Sequence, residues 1–209
     1  SKNDATGPFN PEHRNRLFGL LKDFPHTLSV SAHTHIQNQH FFDAGHGWQQ
    51  EEAHHHFNVG TTSGDWYSGK LNDKGIPIST MRDGTPKGYA FVNIDDNRYT
   101  IDYKVFDKDP EYKMAVFTPK VVLQNAWANA RIIVNFFIGS PEDSLLYKID
   151  DGEWSEMRYA PVHDPFFVHE VDDWDFTDTL FPGRRPSNPV ESSHTWTGHR
   201  SEERRVGKE

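Results

Sequence analysis

The pattern of apolar and polar positions predicts a helix, a short strand and then a long β-rich stretch. Leu17, Phe18, Leu20 and Leu21 form an apolar stripe behind Asn10 and Pro11. An Asn side chain can accept from the free N–H groups of a first helical turn, and Pro suits the first helical position, so a helix begins there. Pro25 stops it. Residues 27–32 are small and β-prone and lead straight into His33-Thr34-His35. A helix followed by a strand that ends in polar, ligand-type side chains is an α/β pattern, in which sites gather at strand C-termini.

From Phe41 onward the signals are strands and turns. Glycines at 60, 64 and 69 mark a loop, in which Gly64-Asp65 also falls, and Asp73-Lys74-Gly75 and Asp83-Gly84-Thr85-Pro86 read as turns. Residues 89–94 and 99–105 alternate in character on either side of Asp95-Asp96-Asn97-Arg98, which predicts a hairpin. Asp107-Lys108-Asp109-Pro110 has the composition of a boundary. Beyond it, residues 114–117, 121–123, 131–138, 145–149 and 154–158 are candidate strands, and Asp150-Asp151-Gly152 is a turn between the last two. Short strands at this spacing suggest a sandwich.

After Phe181 the pattern thins around Pro182-Gly183, Pro186 and Pro189. The acidic run Glu170, Asp172, Asp173, Asp175 and Asp178 lacks the ligand order of a calcium loop and reads as a solvated loop. Residues 200–209 carry seven charges and no aromatic residue, unlike the chain before them, and are set aside as a non-native or disordered tail.

Composition narrows the classes. Aromatic residues make up 13% of the 209, too many for a disordered chain. The net charge of -9 argues against a basic nucleic-acid face or an anionic-membrane binder. No apolar run approaches a membrane span. Cysteine is absent, so a metal would be held by His and carboxylates.

Seven of the thirteen histidines lie between His33 and His56. Neutral imidazole binds zinc, iron and manganese near pH 7, and two imidazoles leaving a strand end can reach adjacent ions. Spacing alone decides nothing, since random placement gives about 0.8 His-x-His pairs per chain. Two hydrogen-bonded surface histidines would look the same. In a strand, His54 and His56 of the His54-His55-His56 triplet share a face, where they line a cleft or contact substrate. Trp66 and Tyr67 form an aromatic wall beside such a site or pack against a neighbouring domain. His40, His46 and His55 stay unassigned; the first two fall in a predicted loop.

Context adds a resemblance. Ser31-Ala32-His33-Thr34-His35 resembles the closing Gly-His-x-His motif of the calcineurin-like metallophosphoesterases, with Ala32 in place of the glycine. His54-His55-His56, the 60–69 loop, Gly75-Ile76-Pro77 and residues 83–89 are similar to a bacterial subgroup of that family, in which a β-rich domain follows the catalytic one. The resemblance covers residues 10–198.

It implies the α+β class: residues 1–110 as the C-terminal portion of a four-layer α/β sandwich, residues 111–198 as a β-sandwich-like domain, and residues 199–209 as the tail. It implies a hydrolase with two divalent metal ions (Mn, Fe or Zn) that clamp a phosphate ester for in-line attack by an activated water, His33 binding the second metal and His35 the first. His54, His56 and Trp66 are the candidate substrate contacts. The partner is a small-molecule or lipid phosphate ester, and the location periplasmic or extracellular. The family's earlier ligand motifs are not in residues 1–32, so the chain reads as the C-terminal part of an enzyme and inactive alone. The alternative is an all-β module that binds carbohydrate or protein, resting on the Trp-, Tyr- and Asp-rich residues 110–198.

Overall fold

A computed structural model describes residues 10–121 and 130–199 of the chain. Helix α1 (Pro11–Leu21) starts as the sequence predicts: the Asn10 side chain accepts from the backbone N–H of Glu12 at 2.9 Å and of His13 at 3.4 Å. Of its apolar stripe only Phe18 is buried, packed with Phe42, Trp48 and Leu21, whereas Leu20 stays exposed.

The first sheet has the order β1-β3-β2, built from β1 (Leu28–Ser31), β2 (Gln37–Phe42) and β3 (His54–Val59). β1 runs parallel to β3 in the register Ser29 to His56 and Ser31 to Asn58, and β2 lies antiparallel on the other edge with His40 opposite His56. Two expectations change here. His40 belongs to a strand, and His46 ends a 3-10 turn (Ala44–His46), so neither sits in an irregular loop. β2 escapes pattern reading because Gln37, Asn38, Gln39 and His40 carry no apolar alternation.

Strand β4 (Gly69–Lys70) follows the 60–69 loop, and β5 (Gly88–Asp95) and β6 (Arg98–Val105) form the expected hairpin. Next come β7 (Met114–Phe117), β8 (Arg131–Phe136), β9 (Leu146–Tyr147), β10 (Ser155–Glu156), β11 (Arg158–Tyr159) and β12 (Val162–His163). The turn at Asp150-Asp151-Gly152 joins β9 to β10 as predicted, with the N–H of Gly152 donating to the Ile149 carbonyl at 3.0 Å. Residues 122–123 of the strand predicted at 121–123, and residues 200–209 of the tail, lie outside the described residues.

The larger corrections come late in the chain. Glu170, Asp172, Asp173 and Asp175 belong to helix α2 (Pro165–Asp175) rather than to a loop. Asp164 caps this helix by accepting from the N–H of Phe167 at 2.8 Å, Pro165 follows it, and Phe167 and Val171 are buried, so Asp172 and Asp175 lie on the solvent side of an amphipathic helix while Glu170 turns inward, where burial raises its pKa. After Phe181, where the pattern thins, stand β13 (Gly183–Arg184), β14 (Glu191–Ser192) and β15 (Thr195–His199). β15 holds an inner position in a four-stranded antiparallel sheet of order β11-β15-β8-β7, and its Trp196 is one of the most deeply buried side chains. His199, assigned to the tail from sequence, ends this strand. The molecule is therefore α+β, with two helices and several small sheets among the described residues.

Two sets of contacts link the parts. Met81, Tyr103, Val105 and Phe137 form one apolar core. Beside it, Asp83, Asn135, Asp164 and His194 make a buried polar network. The Asn135 Nδ2 donates to the Asp83 carbonyl at 3.0 Å and to Asp164 Oδ2 at 2.9 Å, so its Oδ1 is left to accept from His194 Nδ1 at 2.7 Å. Asp83 also takes the backbone N–H of Gln37 at 2.6 Å and of Thr85 at 2.9 Å. The Asp83-Gly84-Thr85-Pro86 turn is thus tied to β2, β8 and the start of α2.

Candidate metal-ligand turn and its supports

The C-terminal end of β1 delivers His33-Thr34-His35, and both histidines hold left-handed backbone conformations, φ 85° and 55°. Non-glycine residues pay for such φ values, and these persist only where neighbours over-determine them. Trp66 and Tyr67 do the same at φ 53° and 56°. Strained positions of both segments meet at His35. Its Nδ1 lies 2.7 Å from the Gly64 carbonyl, and its ring stacks on Trp66 at 4.1 Å with 14° between planes. Because a carbonyl only accepts, this shorter contact puts the proton on Nδ1 and leaves the lone pair on Nε2; the Trp66 N–H, 3.4 Å from Nδ1, is directed to the Gly64 carbonyl at 3.0 Å.

Gly64 earns its place. Its φ is +58°, and a Cβ there would lie 1.6 Å from the Ser79 carbonyl oxygen. The residue that seats His35 therefore tolerates no side chain. Ser79 braces the same loop, its hydroxyl donating to the Ser63 carbonyl at 2.5 Å.

His33 is exposed at the turn, and Trp66 and Tyr67 are each 54% exposed. The outer ring nitrogen of His35 and an indole with one face against that ring thus sit together, with the exposed His33 two residues earlier on the same turn. As a donor set the turn fits a divalent ion in part. His35 has the arrangement usual for a histidine ligand, one nitrogen fixed by a carbonyl and the other free. Among the described residues no group of three or more His, Cys, Asp or Glu is close enough together to hold an ion.

The triplet in β3 divides as its alternation requires. His54 and His56 share one face, on which His54 meets Phe18 of α1, and His55 meets Tyr99 of the hairpin on the other. His54 is 2% exposed among Phe18, Phe42 and Trp48, with its Nδ1 2.6 Å from the Thr27 hydroxyl and its Nε2 2.8 Å from the Ser29 hydroxyl. His56 is held likewise between Ser29 at 2.6 Å and Ser31 at 2.9 Å. With both nitrogens of each ring engaged, these two side chains serve the sheet. Burial holds His40, His54 and His56 below the ordinary histidine pKa, helped for His40 and His54 by the neighbouring His56.

On the other face, His55 stacks on Phe41 at 4.5 Å and meets the Tyr99 hydroxyl at 2.6 Å. Burial, with His54 and His56 adding to it, pushes its pKa down to about 4. It lines a cavity of about 440 Å³ with Tyr99, Phe136, Glu142 and Asp143. The sequence offered no signal for this cavity, since its walls come from four separate segments.

Comparison with known families then decides the kinship. A family model described as the C terminal of calcineurin-like phosphoesterase matches residues 56–209. The chain belongs to this family. The match begins at His56 and takes in the Gly64 loop, Trp66, the Asp83 turn and everything described downstream of them. His33 and His35 precede it, joined to it by the β1–β3 pairing and by the Gly64 carbonyl. No curated protein and no solved structure matches the chain. Members of a calcineurin-like phosphoesterase family are typically metal-dependent hydrolases, and the C-terminal region named by the model is the part seen here. No described helix is long and apolar enough to cross a membrane.

Proposed function

We propose that the chain is the closing part of a metal-dependent phosphoesterase, in which His33 and His35 donate to a dinuclear site of divalent ions (Mn, Fe or Zn). The observation that carries this reading is the seating of His35: the Gly64 carbonyl holds Nδ1 and leaves Nε2 as a free donor at a strained, exposed turn. Bound divalent ions supply positive charge to phosphoryl oxygens and lower the pKa of water. The chain's own part is to present the His35 imidazole in one fixed tautomer and orientation, with His33 two residues before it on the same turn.

Trp66 walls this site and bears on a small-molecule or lipid phosphate ester, whereas His54 and His56 support the turn from beneath. Residues 1–110 then belong to the edge of a catalytic α/β sandwich, and residues 111–198 to a β-sandwich-like domain locked to it through Asp83, Asn135 and His194. The setting that goes with this reading is periplasmic or extracellular, as the resemblance implies.

The test uses a chain that also carries the family's Asp-x-His and Gly-Asn-His-Asp/Glu motifs. His33→Ala and His35→Ala should each lower bound metal, measured by elemental analysis, and cut hydrolysis of p-nitrophenyl phosphate or its diester at least about 100-fold. Unchanged metal content and activity in both variants would refute the assignment.

A further inference from the structure

Along the β1–β3 pair runs an unbroken ladder of side-chain hydrogen bonds. It goes from Thr27 to His54 at 2.6 Å, to Ser29 at 2.8 Å, to His56 at 2.6 Å and to Ser31 at 2.9 Å. From Ser31 it reaches Asn58 Oδ1 at 3.2 Å, and the Asn58 Nδ2 ends it on Thr34 Oγ1 at 2.6 Å and the Ile36 carbonyl at 2.9 Å. The spacing follows from strand period and register. Positions 29 and 31 share one face of β1, with Thr27 just before the strand, positions 54, 56 and 58 lie on one face of β3, and the strands are parallel and in register.

One bond sets the direction of all the others. The Ile36 carbonyl can only accept, so the Asn58 amide turns its NH2 toward it and its oxygen toward Ser31. Ser31 must then donate to that oxygen and accept from His56 Nε2. Hence His56 Nδ1 is bare and accepts from Ser29, Ser29 accepts from His54 Nε2, and His54 Nδ1 accepts from Thr27. Both imidazoles are neutral Nε2–H tautomers. An amide at the end carries no proton onward, so the ladder orients groups and does not conduct protons.

We propose that Asn58, locked in one amide orientation by the Thr27–His54–Ser29–His56–Ser31 ladder, is the positioning residue for the His33-Thr34-His35 turn. It grips the turn at Thr34, between the two histidines, and at Ile36, just after them. This rests on the reading of His33 and His35 as a ligand pair. It gives the serine and histidine alternation of β1 and β3 a task beyond filling a sheet.

The test combines two readouts on the 209-residue chain. Long-range proton–nitrogen NMR spectra of the wild type at pH 7.5 should show His54 and His56 protonated at Nε2 with Nδ1 bare; an Nδ1–H form of either overturns the ladder's direction and the proposal. Zinc ion, titrated as the probe, should shift the ring signals of His33 and His35 together. Asn58→Ala and Ser31→Ala should weaken that response about 10-fold or more, and Ser31→Thr, which keeps the hydroxyl, should restore it. If His33→Ala abolishes the zinc response while Asn58→Ala and Ser31→Ala leave it intact, the ligand pair stands and the positioning role falls. If His33→Ala leaves the response at His35 unchanged, the ligand reading fails and this proposal with it.

Discussion

Asp83 and His194, 111 positions apart in the chain, meet in its interior with Oδ2 3.3 Å from Nε2 and only 1% of either residue exposed. The Asp83 carboxylate also receives two backbone N–H groups, so its surroundings are built for charge and leave no polar partner idle. Removing a buried, bonded carboxylate strands each of those partners. Asp83→Ala should destabilise the chain by about 3 kcal/mol or more. Urea unfolding followed by circular dichroism measures this; a midpoint within error of wild type would show that the network is dispensable.

Gly64→Ala should damage fold and site together. The new methyl group collides with the Ser79 carbonyl, and the left-handed backbone adds its own cost. The expected loss is about 3 kcal/mol, with the His35 ring freed from its carbonyl. Thermal unfolding and the NMR signals of His35 report the two effects, and a variant with unchanged melting would contradict the geometry of the loop.

Trp66→Ala should do the opposite: little to stability, much to the site. Trp66 is half exposed and its main aromatic contact is the ring of His35. Stability should change by about 1 kcal/mol or less, while the His35 ring protons lose the indole's ring-current shift. Ring protons that stay where they are would mean that the stack is absent in solution.

Stability should fall in mild acid. Burial lowers the pKa of His40, His54 and His56 from 6.5 and takes His55 to about 4. Between those values the unfolded chain binds protons that the folded chain refuses, so stability rises with pH across the window. It is full above pH 6.5 and drains as pH falls below it, with the His55 share, about 3 kcal/mol, lost progressively down to pH 4. Urea midpoints from pH 8 to 4.5 check this, and His55→Phe should flatten the acid end. A midpoint flat between pH 7 and 5 would exclude the effect.

Much of the fold is legible where local rules act alone. Asn10 and Pro11 announce α1, Asp95-Asp96-Asn97-Arg98 announces the hairpin, and Asp150-Asp151-Gly152 announces the β9–β10 turn. Segments whose identity depends on distant partners are not legible. β2 is polar in sequence and becomes a strand because β3 supplies its hydrogen bonds and Gln37 and Gln39 donate to the carbonyls of Phe137 and Ile138. β15 sits among prolines and short polar residues, yet Trp196 and the facing β8 draw it into the core. Most of the acidic run is solvated, but on one side of a helix whose other side buries Phe167 and Val171 and draws Glu170 inward.

His33 and His35 stood out by spacing and resemblance, and His35 lies against the same 60–69 loop that the resemblance singled out. No periodicity foretold that His54 and His56 would spend both nitrogens on serines and threonine, because that depends on β1 and β3 being parallel and in register. The Asp83 turn drew notice for its family likeness. It turns out to be a clasp rather than a reagent.

The inner place of β15 has a consequence for synthesis. β8 finds β7 within a short stretch of chain, but its other edge is filled by a strand some 60 residues downstream, roughly 3 to 12 s later at ribosomal speeds of 5 to 20 residues per second. Through that interval Arg131-Ile132-Ile133-Val134-Asn135-Phe136 offers open hydrogen-bonding groups and apolar side chains to any other nascent chain. Yield in the cell should therefore depend on how crowded the polysome is and on chaperone supply, more than on the stability of the finished molecule.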